Sequence, residues 1–200
     1  MDDTMHQIFI VTSCSYMHAG LTAVMYGTRE PVQICRVNQP EEILATPVSP
    51  GGRLVLVPVP RNEPRVAAGA RMYLWQQELL CLSGRGPVLP CVLLSDSVSQ
   101  EYRTLPEHTP VEILREVLSE ILAHPEKAMR KVVPHMPRRT LSPLQEEILA
   151  GTLAGESVME MAKRLGMPQR AIFAGRAGLL NKLGLENRLG LMALSGMKAV

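Results

Sequence analysis

Residues 141–188 read LSPLQEEILAGTLAGESVMEMAKRLGMPQRAIFAGRAGLLNKLGLENR, and they decide the fold of the C-terminal part of this chain. Ser142 is a candidate N-cap, Pro143 suits the first helical position, and Gln145 stands three residues after the cap. This start predicts a helix with an apolar stripe at helical spacing, formed by Leu144, Ile148 and Leu149. Gly155 is expected to end the helix.

A second helix is expected to begin after Ser157 and to bury Met161, Ala162 and Leu165. The break at residues 166–168, Gly-Met-Pro, leaves room only for a tight turn, because glycine permits unusual dihedral angles and proline restricts the residue before it. A third helix should then bury Ile172, Leu179 and Leu183. A helix, a short glycine-containing turn and another helix form the arrangement that places the last helix in the DNA major groove.

This segment resembles the DNA-binding domain of LuxR/NarL-type transcriptional regulators. The residues that carry the resemblance follow one another in order: Leu141-Ser142-Pro143, Glu147-Ile148-Leu149, Gly155 before Ser157, Met161-Ala162 with Leu165, Ile172, Lys182-Leu183-Gly184 and Asn187-Arg188. They cover roughly the last third of the chain. The resemblance implies a small all-α helix-turn-helix domain that contacts double-stranded DNA.

The resemblance places the DNA contacts on the third helix, at Gln169, Arg170, Phe173, Ala174, Arg176, Ala177 and Lys182. The base-reading positions are Phe173, Ala174 and Ala177, and none of them carries an amide or a charge. Direct readout needs such groups at base edges, so we expect weak base recognition. Phosphate contacts should come from Arg170, Arg176 and Lys182.

Two features of the third helix leave a protein-binding alternative open. Gly175 and Gly178 each cost a helix interior about 1 kcal/mol relative to alanine, which predicts an intrinsically weak helix. Phe173 can pack against a thymine methyl group, but an aromatic side chain on a helix face equally suits a protein contact.

Composition indicates two small domains, with 200 residues of which 46% are hydrophobic. No run of eighteen apolar residues occurs, and the acidic start argues against a secretory signal, so we expect a soluble, cytoplasmic protein. The resemblance to LuxR-type regulators implies a bacterial one. The cysteines are scattered without a CxxC pair: Cys14, Cys35, Cys81 and Cys91. Neither a metal nor a cofactor is expected.

Charge is divided unevenly along the chain. Residues 1–124 hold nine Arg, no Lys and thirteen acidic residues, a balance of −4, whereas residues 125–200 have a balance of +6. A basic C-terminal part suits a regulator that meets phosphates. Residues 125–139 are predicted to form a basic, proline-containing linker that either adds phosphate contacts of low specificity or is merely solvated.

The N-terminal part alternates strands and helices. Strands are predicted at residues 8–11, 32–37, 54–57 and 88–94, with a last edge strand at 101–105. Helices are predicted at residues 19–26, 40–44, 66–82 and 111–122. Strands separated by helices imply a doubly wound α/β sheet.

An α/β domain ahead of such a DNA-binding domain resembles the receiver of a two-component response regulator. Receivers need an Asp after the third strand, an acidic pair after the first for Mg²⁺, and a Lys near the fifth. Here Pro58 takes the phosphoacceptor position, residues 12–14 read Thr-Ser-Cys, and the Lys position falls near Leu105 and Pro106. We therefore expect a receiver-like domain that lacks the phosphorylation residues, with no catalytic residue and no enzymatic activity.

Residues 14–16 with 20–22 (Cys-Ser-Tyr and Gly-Leu-Thr) also resemble the start of RcsA-type auxiliary regulators of enterobacteria. That resemblance implies a degenerate receiver that acts by pairing with a phosphorylatable partner. The interval between Ser95 and Pro110 is several residues short, so the fourth receiver helix should be missing or reduced to a turn. Its loss is expected to expose an edge or an apolar patch near residues 98–105, and an exposed patch of this kind marks an interaction site.

The sequence thus predicts a receiver-like domain at residues 1–124, a linker at 125–139 and a helix-turn-helix domain at 140–200. The first hypothesis is a phosphorylation-independent regulator that acts on DNA together with another LuxR-type response regulator. The alternative is an antagonist that sequesters such a regulator without touching DNA. A homodimer stays open, and deleting residues 1–124 is expected to leave weak DNA binding intact.

Overall fold

The computed structural model describes residues 5–131, 140–185 and 188–194. Its N-terminal part is a five-stranded parallel sheet of order β2-β1-β3-β4-β5. The strands are β1 His6–Val11, β2 Val32–Val37, β3 Arg53–Pro58, β4 Cys91–Leu94 and β5 Arg103–Leu105. The helices are α1 Ser15–Met25, α2 Glu41–Ala45, α3 Pro64–Leu82 and α4 Val111–Ala123. This strand order is that of flavodoxin-like doubly wound sheets, so the predicted α/β architecture is confirmed.

The central strands are buried on both faces, which explains their unbroken apolar runs. Because successive side chains of a strand point to opposite faces, each strand contributes to two cores. One core lies under α2 and α3 and contains Phe9, Val11, Val55, Val57, Tyr73 and Leu74. The other lies under α1 and α4 and contains Ile8, Ile10, Leu54, Leu56, Leu118 and Ile121.

No helix lies between β4 and β5, as the short interval predicted. The expected edge is present, since β5 is an outermost strand of the sheet, but residues 98–105 do not form the alternative, an exposed apolar patch. Val98 is 90% exposed, but Tyr102 and Leu105 pack partly buried against the two cores. Glu101 is buried and accepts two hydrogen bonds from Arg130, at 2.9 and 2.7 Å, and this ion pair draws the segment inward.

Some element boundaries differ from the sequence prediction. α1 begins at Ser15 rather than at residue 19. β4 begins at Cys91 rather than at residue 88, because Pro87 and Pro90 have no N–H to donate to a neighbouring strand.

The C-terminal part contains α5 Pro143–Leu153, α6 Val158–Leu165, α7 Gln169–Leu183 and α8 Arg188–Ala193. Both predicted caps are present. Ser142 and Gln145 form a capping box at α5, and Ser157 and Glu160 form another at α6. Gly166 ends α6 in the left-handed conformation, with φ 64°.

The glycines of α7 lie where this helix crosses α5. A Cβ atom at Gly175 would collide with Cδ1 of the fully buried Ile148, and one at Gly178 would lie 2.6 Å from Nε2 of Gln145. The helix-propensity cost that the sequence predicts is therefore accompanied by a close approach of the two helices. Besides lowering the helix propensity of α7, these glycines allow α5 and α7 to approach each other closely.

The two parts share one apolar core. On α3, Ala68, Met72 and Trp75 turn away from the sheet and pack against residues of the helical domain: Ile148, Leu149, Leu153, Leu191 and Leu194. Trp75 is only 8% exposed. The C-terminal domain is thus packed against α3, and hydrophobic burial is the force that holds it there.

The predicted linker is ordered at its start. Pro125–Ala128 forms a 3₁₀ helix, and Arg130 bridges Glu78 of α3 and Glu101. The remainder of the linker, including Arg138 and Arg139, lies outside the described residues.

Candidate nucleic-acid interface

The outer face of α7 is turned to solvent. Five of the positions that the sequence singled out are exposed there, namely Gln169, Arg170, Phe173, Ala174 and Ala177. The opposite face of the helix carries Ile172, Leu179 and Leu183, all of them buried in the shared core. The packing of the domain against α3 therefore leaves the predicted reading face uncovered.

A short turn at residues 166–168 joins α6 to α7. Gly166 and Met167 both donate backbone hydrogen bonds to Ala162, and Pro168 is the N-cap of α7. At the start of α6, the Glu160 carboxylate accepts from the Ser157 N–H at 2.7 Å, and these hydrogen bonds lower the pKa of Glu160. These hydrogen bonds define the start of α6 and the turn from which α7 begins.

The outer face offers little hydrogen bonding to bases. Phe173 is 49% exposed, and Ala174 and Ala177 end in methyl groups. Gln169 is the exposed amide at the start of the helix. This arrangement can touch groove walls and phosphates, but it provides few donors for base edges.

Lys182 lies differently from the sequence expectation. Its Nζ donates to the carbonyl of Thr140 and to Oε1 of Gln145, both at 2.8 Å. Because Gln145 belongs to the cap of α5, Lys182 ties the end of α7 to the beginning of α5. Its ammonium is already engaged inside the domain and is poorly placed for a phosphate.

Arg164 is also engaged within the domain. Its guanidinium donates to Glu147 at 2.6 Å and to Glu156 at 3.1 Å, and the two carboxylates raise its pKa. Lys163, by contrast, is an exposed cation at the end of α6 that the sequence reasoning missed. The sequence could have indicated Lys163 as a candidate contact, since it stands three residues before the turn that joins α6 to α7.

Arg176 is half-buried at the edge of the outer face. Its Nε is buried without an acceptor, and burial together with the charge of Arg188 lowers its pKa. Arg188, the first residue of α8, is exposed and was not among the predicted DNA contacts. The sequence could not indicate that the charge of Arg188 acts on Arg176, because this depends on the path of the chain after α7.

The carboxyl edge of the sheet lies where a receiver would hold its phosphorylation site. Pro58 ends β3 and is buried, while Thr12 and Ser95 are buried hydroxyl residues after β1 and β4. Thr12 accepts from the Cys14 N–H at 3.0 Å, and Ser95 accepts from the Ser97 N–H at 3.2 Å. Within the described ranges, no three His, Cys, Asp or Glu side chains come together as metal ligands would.

No family model matches the chain, and no curated protein matches it. Solved structures of response regulators overlap it along most of its length. An RcsB–DNA complex has a TM-score of 0.45 and 15% identity over 98% of this chain and 100% of that one. RcsB from Salmonella enterica serovar Typhimurium, bound to a promoter, has a TM-score of 0.45 and 16% identity over 98% and 100%. FixJ from B. japonicum has a TM-score of 0.38 and 13% identity over 94% of each chain.

In the described residues, every helix is too short or too polar to cross a membrane.

Proposed function

We propose that this chain is a transcriptional regulator that binds double-stranded DNA through α7 and does so without phosphorylation. The observation that supports it is the exposed outer face of α7, which follows the short turn after α6 and lies opposite a face buried against α5 and α3. The exposed cations Lys163 and Arg170 flank the turn and suit phosphate contacts.

Such an interface should bind DNA weakly and with little sequence preference, because the outer face of α7 carries methyl and phenyl groups at its centre. A fluorescence-anisotropy titration of labelled duplexes over a salt series tests this. We expect affinity to fall steeply with salt and to vary little between sequences. Tight binding at physiological salt, with large penalties for single base changes, would contradict the proposal of weak base recognition.

Independence from phosphorylation is supported by the residues at the carboxyl edge of the sheet. A buried proline and two hydroxyl side chains provide neither the nucleophilic carboxylate nor the hard anionic ligands that an acyl phosphate and Mg²⁺ require. Incubation with acetyl phosphate and Mg²⁺ should leave the intact mass unchanged. A gain of one acid-labile phosphoryl group would refute this part of the proposal.

The second candidate function is that of an antagonist that binds another LuxR-type response regulator. The apolar outer face of α7, where Phe173 is half-exposed on the same face as Ala174 and Ala177, favours it, since such a face suits a protein contact. Gel shifts with a candidate partner regulator on its own promoter separate the two functions. A larger ternary complex supports the DNA-binding regulator, whereas loss of the partner's complex supports the antagonist.

A further inference from the structure

Two adjoining cavities lie between the sheet and the C-terminal helices, at the carboxyl ends of β3 and β4. Val59 and Pro60, directly after β3, line the smaller cavity, which has a volume of about 150 Å³. The larger cavity, of about 290 Å³, is lined by residues 97–102, which follow β4, and by Asn181 near the end of α7. The residues that line both cavities, and so make them one cleft, are Arg71, Ser95, Ser97 and Gly184. A crevice outside the carboxyl ends of the strands is where doubly wound sheets bind their ligands.

The size of the cleft suits a small metabolite. Neither cavity alone reaches the range of about 300–1,000 Å³ that is usual for ligand pockets, but together they enter it. On the C-terminal side of the cleft, a Cβ atom added to Gly184 would meet nothing within 4 Å. This part of the wall is therefore backbone that a ligand can approach closely.

The smaller cavity offers two cations. Arg61 and Arg71 both line it, and among its described lining residues none is acidic. The Glu107 carboxylate accepts from the backbone N–H of Arg61 at 2.8 Å and so helps to fix the backbone that carries this guanidinium. Val59 and Pro64 add an apolar wall, which strengthens the attraction between charges beside it. Because the planar fork of arginine matches phosphate oxygens, this end of the cleft suits a phosphate group.

The larger cavity offers neutral hydrogen-bonding groups. Its lining includes the hydroxyl and amide side chains of Ser97, Ser99, Gln100 and Asn181. Glu101 also lines it, but its carboxylate is paired with Arg130 at 2.7 Å, so its charge is already compensated. Hydroxyls and amides can both donate and accept, which is what the hydroxyl groups of a sugar or polyol require.

We propose that this cleft binds a small sugar or polyol phosphate. The phosphate group lies beside Arg61 and Arg71, and the hydroxyl groups lie among residues 97–100 and Asn181. Because the sheet and the C-terminal helices both contribute to the lining, the ligand favours the arrangement in which they are packed together. This inference goes beyond the proposed function, since it requires neither DNA nor a partner regulator.

Isothermal titration calorimetry of the full chain tests the proposal. The probes are the phosphate esters of glycerol, ribose and glucose at their primary hydroxyls, with inorganic phosphate and ribose for comparison. At least one ester should bind one site per chain, and about tenfold more tightly than phosphate or ribose, since each end of the ligand adds hydrogen bonds that the other lacks.

Four variants locate the site. Arg61→Gln and Arg71→Gln should each weaken ester binding about tenfold, because a charge-assisted hydrogen bond to phosphate is lost. Ser97→Trp should abolish binding, since it fills the cleft from an exposed position and keeps the backbone N–H that donates to Ser95. Arg65→Gln is the matched control. It removes an exposed arginine of α3 that is not among the lining residues of either cavity, and it should bind the ester like the wild type.

The other results overturn the proposal. They are a wild type that binds none of the three esters at millimolar concentration, inorganic phosphate that binds as tightly as the best ester, and ester binding that survives Ser97→Trp. An equal loss in Arg65→Gln would mean general attraction between charges rather than a site. Saturating ester should also raise the urea concentration at which Trp75 emission shifts, and an unchanged midpoint would place the ligand outside this cleft. Far-ultraviolet circular dichroism checks folding, and if Arg71→Gln fails to fold, Arg61→Gln and Ser97→Trp decide the question from exposed positions.

Discussion

Replacing Met72 by alanine tests whether the two domains share one core. Met72 lies on α3, is 5% exposed, and belongs to the same buried cluster as Leu149 and Leu153 rather than to either core of the sheet. Truncation of a buried methionine costs about 2–5 kcal/mol, depending on how far the site can collapse. Since the side chain lies between α3 and the C-terminal helices, where the helices can move together to fill the space, we expect about 2–3 kcal/mol, near the lower end of that range.

The only tryptophan of the chain reports on the same contact. Trp75 is buried in this core, so separation of the domains should shift its emission to longer wavelength. In the wild type, urea titrations followed by Trp75 emission and by far-ultraviolet circular dichroism should coincide. In Met72→Ala, the emission change should come at lower urea than the loss of helicity.

A matched control lies on the same helix. Leu82→Ala removes a side chain that is 65% exposed, so its effect should stay within about 0.5 kcal/mol. If Met72→Ala has the same urea midpoint and the same emission maximum as the control, the docking of the C-terminal domain on α3 is refuted. Coincident transitions at a lower midpoint would instead mean that the two domains unfold as one unit.

Three further outcomes are expected. Gly52→Ala should destabilise the N-terminal domain by about 1–3 kcal/mol, because its Cβ would collide with a backbone carbonyl of α4. Gly20→Ala, on the open face of α1, should instead stabilise the protein by about 1 kcal/mol. Thermal unfolding measures both changes. At pH 8.5, an alkylating reagent should label exposed Cys14 within minutes. Cys91 should stay unmodified until the protein unfolds, because burial raises its pKa to about 12. Early labelling of Cys91 in peptide mass spectra would contradict this. Lys182→Met should lower the thermal midpoint without changing the salt slope of DNA binding, since its two acceptors lie within the domain; a smaller slope would restore Lys182 as a phosphate contact.

The elements of the fold could be predicted from local signals. The capping boxes at Ser142 and Ser157 fixed two helix starts, and the continuous apolar run of β3 indicated a strand buried on both faces. The start of α1 could not be predicted in the same way. Its N-cap, Cys14, forms no side-chain hydrogen bond, so no capping residue marks the beginning of that helix.

The candidate interface was predictable where it depends on helical spacing and not where it depends on tertiary contacts. The exposure of Phe173, Ala174 and Ala177 follows from the burial of the opposite face. The engagement of Lys182 and the proximity of Arg188 arise from residues distant in the sequence, which periodicity cannot report. The partial burial of residues 102–105 depends on the ion pair between Glu101 and Arg130, which joins the linker to the sheet domain.

The shared core also alters what removal of the N-terminal domain should do. A fragment of residues 140–200 would lose Met72 and Trp75 of α3, which belong to the same buried cluster as Leu149 and Leu153 in the full chain. Since exposed apolar patches promote association, we expect this fragment to melt at a lower temperature and to self-associate, rather than to bind DNA as an independent domain. Replacing both leucines by glutamine in the fragment should reduce its association in sedimentation velocity. A monomeric fragment with the helicity and thermal midpoint of these helices in the full chain would mean that α3 contributes no stability, and the chain would then consist of two independent parts.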